Sequence, residues 1–205
     1  MGLEALQGIQ NGTVPGELME PSVTIYSSFA SYVYALVWGA VNVSGVNFCK
    51  PANFLQSIIA LMTVVCCILT NAVIIGSDQV GCLDGHVLTK PGTVEAAESQ
   101  LAGMAGHTHD LLTGVCVLDT KTGSIQEHID IHRLTMRALS PEEIRKYVAT
   151  EYPLDCAGSY KIEGLGISLF EQIQGHDFTA ITGLPLMAVC QMLANTGIHP
   201  LRGVE

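Results

Sequence analysis

The sequence predicts an α/β domain, on three observations. From residue 72 onward, short apolar runs alternate with amphipathic segments, as strands and helices do in this fold class. Glycines and other turn-forming residues separate these runs. The chain has 205 residues, of which 48% are hydrophobic, and this length suits one buried core better than two. We therefore expect a single α/β domain.

The first predicted elements are a short strand and a helix. Residues 72–75 read Ala-Val-Ile-Ile, which is typical of a buried strand, and we expect this strand to end at Gly76. Gly85 is expected to turn the chain between two short extended pieces. A helix is predicted over residues 93–104, with Thr93 as its N-cap. Its apolar face carries Val94, Ala97, Leu101 and Met104.

A hairpin and a second helix follow. Strands are expected over residues 111–118 and 125–136, joined by a turn at 119–123. The run Ser-Pro-Glu-Glu at 140–143 combines a capping box with a proline at the first helical position. We therefore expect a helix from this point to about Ala149.

Towards the end of the chain, the sequence predicts a loop and a last helix. Residues 156–166 are rich in glycine and are expected to form a loop or an irregular strand. A helix is expected to begin near Pro185 and to end at Gly197, which is suited to a C-terminal cap.

The charge distribution bears on possible partners. The formal net charge is −10, so we expect no binding to a nucleic acid polymer, which needs a basic surface.

Residues 57–77 form an apolar run that is long enough to span a bilayer. Thr63, Thr70 and Asn71 interrupt this run, and its last residues also match a strand. A membrane-spanning helix stays open as the alternative interpretation. The charged residues before Asp78 are Glu4, Glu17, Glu20 and Lys50.

The cysteines favour a reducing compartment. There are seven of them, an odd number, with no C-x-x-C pair, so neither a zinc ribbon nor a disulfide framework is expected. The first twenty residues contain three acids and no base, the reverse of the start of a signal peptide. We therefore expect a cytoplasmic protein with free cysteines.

Asp78 is the first candidate for chemistry. It follows an apolar strand and a glycine, a place where α/β folds present side chains to a ligand. A carboxylate there can bind a divalent metal or accept a proton from an attacking water. A turn aspartate without a catalytic role is the other interpretation.

Lys90 and Glu163 are candidates for ligand binding. Lys90 precedes the predicted helix N-terminus, where phosphate binds well, although a solvated loop lysine has the same sequence context. Glu163 lies among glycines that would let a ligand approach the backbone, and its carboxylate could contact a base edge or remain in solvent.

The histidines offer a weaker metal hypothesis. His107 and His109 have the spacing of two side chains on one side of a strand, and His128 and His132 are four residues apart. A metal site would need a third ligand such as Asp110 or Asp130, so we expect ordinary surface or hairpin histidines.

Five segments, taken together, resemble the Maf family of nucleotide pyrophosphatases in order and spacing. They cover about residues 72–200, close to two thirds of the chain. The Ser-Asp-Gln-Val run at 77–80 and the Glu163 loop resemble the 7-methyl-GTP pyrophosphatase branch more than the dTTP/UTP branch. The segments are IIGSDQV, LTKPGTVEAAESQL, the Glu-Glu-Ile-x-x-Tyr-Val helix, PLDCAGSYKIEGLGISLFEQIQG and TAITGLPLMAVCQML.

The resemblance implies a fold, an activity and roles for four residues. The fold would be one domain with a mixed sheet flanked by helices and a nucleotide cleft at the strand ends. The reaction would convert a nucleoside triphosphate into its monophosphate and pyrophosphate with a divalent cation, usually Mg²⁺, and the protein would be a homodimer. Asp78 would be the proton acceptor and a metal ligand, Gln79 and Glu163 would set substrate choice, and Lys90 would bind phosphate.

The first third of the chain departs from the family pattern. Residues 1–71 contain no arginine and no Ser-x-Ser-Pro-x-Arg loop, so we divide the chain into 1–71 and a Maf-like domain at 72–205. The first part is then a divergent apolar segment or the product of an altered reading frame. Two other functions stay open: a nucleotide-binding regulator of cell division without turnover, and a membrane-anchored variant through residues 57–77.

Overall fold

The computed structural model describes residues 22–25, 49–51, 71–199 and 201–204. Most of the first third, including residues 57–70 of the apolar run, lies outside the described residues, and so do the expectations made for it. In the part of the chain that is described, no helix is long and apolar enough to cross a membrane.

Eight strands and three α-helices are formed by the described residues. The strands are β1 (Ser22–Ile25), β2 (Ala72–Leu83), β3 (His86–Leu88), β4 (Thr108–Asp119), β5 (Ser124–Met136), β6 (Phe170–Gln174), β7 (Ile198–His199) and β8 (Gly203–Val204). The helices are α1 (Val94–Met104), α2 (Pro141–Glu151) and α3 (Leu186–Asn195). Short 3₁₀ turns lie at Ala157–Ser159, Leu165–Leu169 and Phe178–Thr182.

Six of these strands build one mixed sheet, and β7 and β8 form a separate antiparallel pair. The order of the mixed sheet is β1-β2-β4-β5-β6, and β3 pairs with β2 outside this path. β1 is parallel to β2, and the other pairs in this sheet are antiparallel. The predicted hairpin corresponds to β4 and β5, and the predicted α/β fold with a mixed sheet flanked by helices is confirmed.

β2 is longer than the sequence predicts. The expected end at Gly76 is wrong, because the strand continues to Leu83 and pairs with β4 from Val73 to Cys82. A glycine inside a strand weakens it locally, but ten residues of pairing to β4 outweigh that weakness. Asp78 therefore lies within a strand and not after one.

The predicted helices α1 and α2 are confirmed. Thr93 caps α1 by accepting a hydrogen bond from Ala96 N, and Ser140 and Glu143 form the capping box of α2. Both helices pack on the end of the sheet formed by Leu111, Leu134 and their neighbours. Burial of one leucine of this cluster contributes about 2 kcal/mol, so the cluster supplies much of the stability of this end of the domain.

The last helix, α3, packs on a second apolar cluster. Val189 and Met192 of α3 contact residues of β2 and β4, which are Val73, Ile75, Val115 and Val117. The buried carboxylate of Asp177 accepts a hydrogen bond from Met187 N at 2.7 Å, which satisfies the helix N-terminus. β6 was not predicted, because its five residues, Phe-Glu-Gln-Ile-Gln, are short and only partly alternate.

The expectation of free cysteines is wrong for one pair. Cys49 and Cys82 form a disulfide across a sequence separation of 33 residues. Cys116, Cys156 and Cys190 are free. Pairing over such a distance depends on the fold and leaves no local sequence signal, which is why counting cysteines missed it. The bond connects the first third of the chain to the end of β2.

Candidate active site

Asp78 occupies a partly buried position in the middle of β2. It lies opposite Gly114 of β4, and its Oδ1 accepts a hydrogen bond from Gln79 N at 2.8 Å. Burial raises the pKa of Asp78 from its ordinary value of 3.8 to about 6, although the Gln79 hydrogen bond and the charge of Lys90 both lower it. The carboxylate is therefore mostly ionised at pH 7 and is a stronger base than an exposed aspartate.

Lys90 is brought close enough to act on Asp78. It lies between β3 and α1, its side chain is exposed, and its positive charge lowers the pKa of Asp78. Gly92 N donates a hydrogen bond to Leu154 O at 3.0 Å, which joins the Lys90 segment to the loop after α2. The structure thus places together two of the predicted site residues.

Asp155 and Lys161, in this same loop, were not singled out from the sequence. A hydrogen bond from its own backbone, the Cys156 thiol, and the charges of Lys161 and Lys90 hold the pKa of Asp155 below its ordinary value. Two lysines therefore lie near one carboxylate. The position of Lys161, two residues before Glu163 in a glycine-rich loop, is the signal that could have identified it.

The segment that carries Lys161 and Glu163 is bound to α2. Lys161 Nζ donates to Glu151 O at 3.0 Å, and Lys161 N donates to Tyr147 Oη at 2.9 Å. Leu165 N donates to Glu151 Oε1 at 2.7 Å. These contacts fix the segment on both sides of Glu163.

Glu163 is exposed at the surface of this segment. The pKa of Tyr147 is raised to about 12, mainly by burial and to a lesser extent by nearby negative charges that include Glu163. Within the described residues, no hydrogen bond or ion pair joins Glu163 to Asp78. As an exposed side chain, Glu163 is free to contact a ligand.

Gln79 is held by the protein itself, on the opposite face of β2 from Asp78. Successive side chains of a strand point to opposite faces. Gln79 Nε2 lies within hydrogen-bond distance of Thr113 Oγ1 (2.9 Å), Ala180 O (2.8 Å) and Ile181 O (3.0 Å). Its amide nitrogen therefore anchors the Phe178–Thr182 turn to the sheet.

Ser77, on the other side of Asp78 in sequence, makes a similar contact. Its hydroxyl lies 2.8 Å from both Gly114 O and Gly183 O, so it contacts β4 and the end of the same turn. The two residues that flank Asp78 thus both bind the segment between β6 and α3.

Of the four histidines expected at the surface or in the hairpin, two lie in the β4–β5 hairpin and are buried. His109 and His132 are each 2% exposed, whereas His107 and His128 are exposed as expected. His132 Nδ1 lies 2.8 Å from Asp130 Oδ1, and both side chains are buried. A sequence pattern of alternate polar residues conceals these positions, because histidine occurs both in cores and at surfaces.

A groove beside α3 is separate from Asp78. It has a volume of about 470 Å³ and lies between β5, the Asp177 turn and α3. His128, Asp130, His176 and Asp177 are among its lining residues, and Lys90 and Glu163 are not. The four residues to which the family resemblance assigns roles therefore do not line this groove.

The donor set fits a metal ion only in part. Across the described ranges, no cluster of three or more His, Cys, Asp or Glu side chains could hold a metal ion. Asp78 supplies one carboxylate. Mg²⁺ is commonly held by one or two carboxylates together with the phosphates of a substrate, so this arrangement fits an ion that arrives with a triphosphate.

Comparison with known proteins identifies similar sequences. The profile described as Maf-like protein matches residues 51–196, beginning before residue 72, where the motif resemblance begins. A 7-methyl-GTP pyrophosphatase of Idiomarina loihiensis is 46% identical over 131 residues, which are 64% of this chain and 66% of that protein. One of Syntrophotalea carbinolica is 46% identical over 132 residues, with coverages of 64% and 67%. The chain thus spans about two thirds of the length of these relatives.

Proposed function

Because the chain belongs to the Maf-like protein family, we propose that it is a nucleoside triphosphate pyrophosphatase with 7-methyl-GTP as its substrate. The observation that carries this proposal is the partly buried Asp78 beside the charge of Lys90. Both residues lie within the part of the chain that the family profile matches. The relatives' names support the substrate.

Asp78 is proposed as the general base. Its raised pKa, about 6, makes it a better proton acceptor than an ordinary aspartate while leaving it mostly ionised at pH 7. It takes a proton from a water molecule that attacks a phosphorus atom of the triphosphate chain, and pyrophosphate leaves. Gly114, directly opposite, has no side chain to occupy the space beside this carboxylate.

Lys90 and Lys161 are proposed to bind the phosphates. A triphosphate carries about four negative charges, and positive groups placed around it stabilise the charge of the transition state. Lys90 supplies one positive charge, and Lys161 supplies a second one near Asp155. A divalent cation such as Mg²⁺, bound together with the substrate, would neutralise more of the phosphate charge.

Glu163 is proposed to select the base directly. A carboxylate only accepts hydrogen bonds, and guanine presents N1–H and N2–H₂ as donors on one edge. Methylation at N7 gives the guanine ring a positive charge, which a nearby carboxylate favours. We propose that Gln79 influences substrate choice indirectly, through the Phe178–Thr182 turn that its amide holds.

Pyrophosphate release tests the proposed function. The wild-type chain should release pyrophosphate from 7-methyl-GTP with a higher kcat/KM than from dTTP or UTP. Asp78→Asn should lower the rate on the order of a hundredfold or more, as expected for loss of a general base. Asp84→Asn is the matched control, because Asp84 is exposed in the β2–β3 turn at a φ of 51°, which asparagine tolerates.

Two results would contradict this assignment. Equal rates of pyrophosphate release for Asp78→Asn and wild type would show that Asp78 is not the general base. Nucleotide binding without any pyrophosphate release would favour a regulator without turnover. We further propose that the protein is a homodimer, as the resemblance implies. Sedimentation of the purified chain should then give twice the monomer mass.

A further inference from the structure

His109 is a buried histidine that the proposed reaction does not use. It lies on β4, and its Nε2 is 3.0 Å from Tyr160 Oη. Its ring contacts the rings of Tyr160 and Phe170 at centroid distances of 5.6 Å and 5.9 Å. Its Nδ1 has no hydrogen-bond partner among the described residues. The only hydrogen bond of this ring within that part of the chain is therefore the one to Tyr160.

The environment of His109 excludes the usual functions of a histidine. Burial lowers its pKa to about 4, although the charge of Asp110 raises it. The ring is therefore neutral at physiological pH and cannot attract a phosphate as a cation. It also belongs to no cluster of metal-ligating side chains in the described ranges. Its hydrogen bond to Tyr160 is the contact that remains to be explained.

Tyr160 fixes the start of the segment that carries Lys161 and Glu163. Its ring is 8% exposed and packs edge-on against Phe170 at 5.0 Å. Gly158 has a φ of 78°, and a Cβ added there would lie 2.7 Å from the Tyr160 ring, so the backbone passes directly over this ring. The course of the loop thus depends on where the Tyr160 ring is held.

We propose that His109 is a positioning residue for substrate choice, which holds the Lys161–Glu163 segment in place through its hydrogen bond to Tyr160. This inference rests on the function proposed for Glu163. Loss of the hydrogen bond loosens the segment at its Tyr160 end, while the contacts of Lys161 and Leu165 with α2 remain and Asp78 stays in its strand. His109 therefore affects KM and base preference more than kcat.

Three variants separate the hydrogen bond from ring packing. His109→Phe keeps an aromatic ring and removes both nitrogens. Tyr160→Phe removes only the hydroxyl, so it should fold even if the histidine variant does not. His109→Gln supplies an amide that can form a hydrogen bond with the hydroxyl. His128→Gln, at an exposed histidine of the neighbouring strand β5, is the matched control.

We expect these variants to change KM and the preference for 7-methyl-GTP over dTTP. His109→Phe and Tyr160→Phe should each raise KM for 7-methyl-GTP about five- to tenfold and lower the preference over dTTP by a similar factor, as for one lost buried hydrogen bond. The double variant should be no worse than either single one, because both remove the same bond. His109→Gln should restore part of the loss, and His128→Gln should match wild type. Fully multiplicative effects, or unchanged preference in both single variants, would overturn the proposal.

Hydrogen exchange tests the same proposal without turnover. Residues 157–164 should exchange faster in His109→Phe and Tyr160→Phe, while α2 exchanges as in wild type. Unchanged exchange at 157–164 in both variants would overturn the positioning role even in an active enzyme. Absence of nucleotide hydrolysis by the wild-type chain would overturn the proposed function only, so the two failures are distinguishable.

Discussion

The position of Asp78 within β2 favours its neutral form. The side chain is partly buried, and burial outweighs the Gln79 hydrogen bond and the charge of Lys90. The proposed chemistry needs the ionised form, which burial at this position makes less favourable than it is in water. The burial that makes Asp78 a good base therefore makes the folded protein less stable when Asp78 is ionised.

This conflict predicts a pH-dependent stability. The pKa of Asp78 is about 6 in the folded protein and near its ordinary value of 3.8 in the unfolded chain. Its stabilising contribution is complete below pH 3.8 and is lost as the pH rises to about 6. Asp78→Asn cannot ionise, so at pH 7 the metal-free variant should be more stable than wild type by up to about 3 kcal/mol.

Urea unfolding in the presence of a chelator, at several pH values from 4 to 7.5, measures this difference. The difference between Asp78→Asn and wild type should grow with pH and level off above about pH 6. The control Asp84→Asn should show no such growth. A constant difference across this range would mean that burial does not perturb Asp78.

At the scale of elements, β2 connects the proposed base to the segment before α3. Ser77 and Gln79 bind the Phe178–Thr182 turn and Gly183 on one face, and Asp78 lies on the other face. Asp177 adds a third connection, because its backbone N–H donates to Asp130 on β5 at 3.2 Å. The turn is therefore attached to three strands, since Thr113 of β4 also donates to Ala180 O.

The attachment predicts different effects for the two substrate-choice residues. Glu163→Gln should weaken the preference for 7-methyl-GTP without loss of stability, because Glu163 is exposed. Gln79→Thr should lower stability by about 1 to 3 kcal/mol, since it removes the hydrogen bonds of the amide to Ala180 O and Ile181 O, and should slow the hydrolysis of all nucleotides by a similar factor. The double variant, Gln79→Thr with Glu163→Gln, should shift the substrate preference toward dTTP and UTP.

Measurement of kcat/KM for the three nucleotides, with urea unfolding of each variant, separates these effects. If the double variant ranks the nucleotides as wild type does, neither residue selects the base. If Gln79→Thr changes the ranking by itself at unchanged stability, its amide contacts the substrate directly.

At the scale of the whole molecule, local signals were sufficient for some elements and not for others. The helix α2 was predicted because its capping box lies within four residues of sequence. The length of β2 was not predicted, because it depends on pairing with residues of β4 that lie 28 to 46 positions away in the sequence. Asp78 and Lys90 were predicted together through motifs, whereas the burial of His109 depends on Tyr160, which comes from a distant loop. Contacts between distant segments are therefore what the sequence conceals.

The disulfide predicts a dependence of stability on redox conditions. Closing a loop across a separation of 33 residues contributes about 3 to 4 kcal/mol by the chain-entropy account. Without a reductant, Cys49→Ser should lower the free energy of unfolding by this amount. With a reductant, the variant and wild type should be equally stable. Cys190→Ser, at an exposed free cysteine, is the control. Equal urea midpoints for wild type with and without reductant would show that the bond does not form or does not stabilise the fold.

Gly114, the partner of Asp78 across the β2–β4 ladder, has a consequence for how relatives of this chain are classified. Side chains directly opposite each other in an antiparallel pair have Cβ atoms about 5 Å apart, so any larger residue at this position would lie against the Asp78 carboxylate. A relative could then keep Asp78, both lysines and Glu163 and still exclude water from the carboxylate. Retention of charged residues alone is therefore an insufficient criterion for a working enzyme, and the residue opposite the aspartate should be inspected as well.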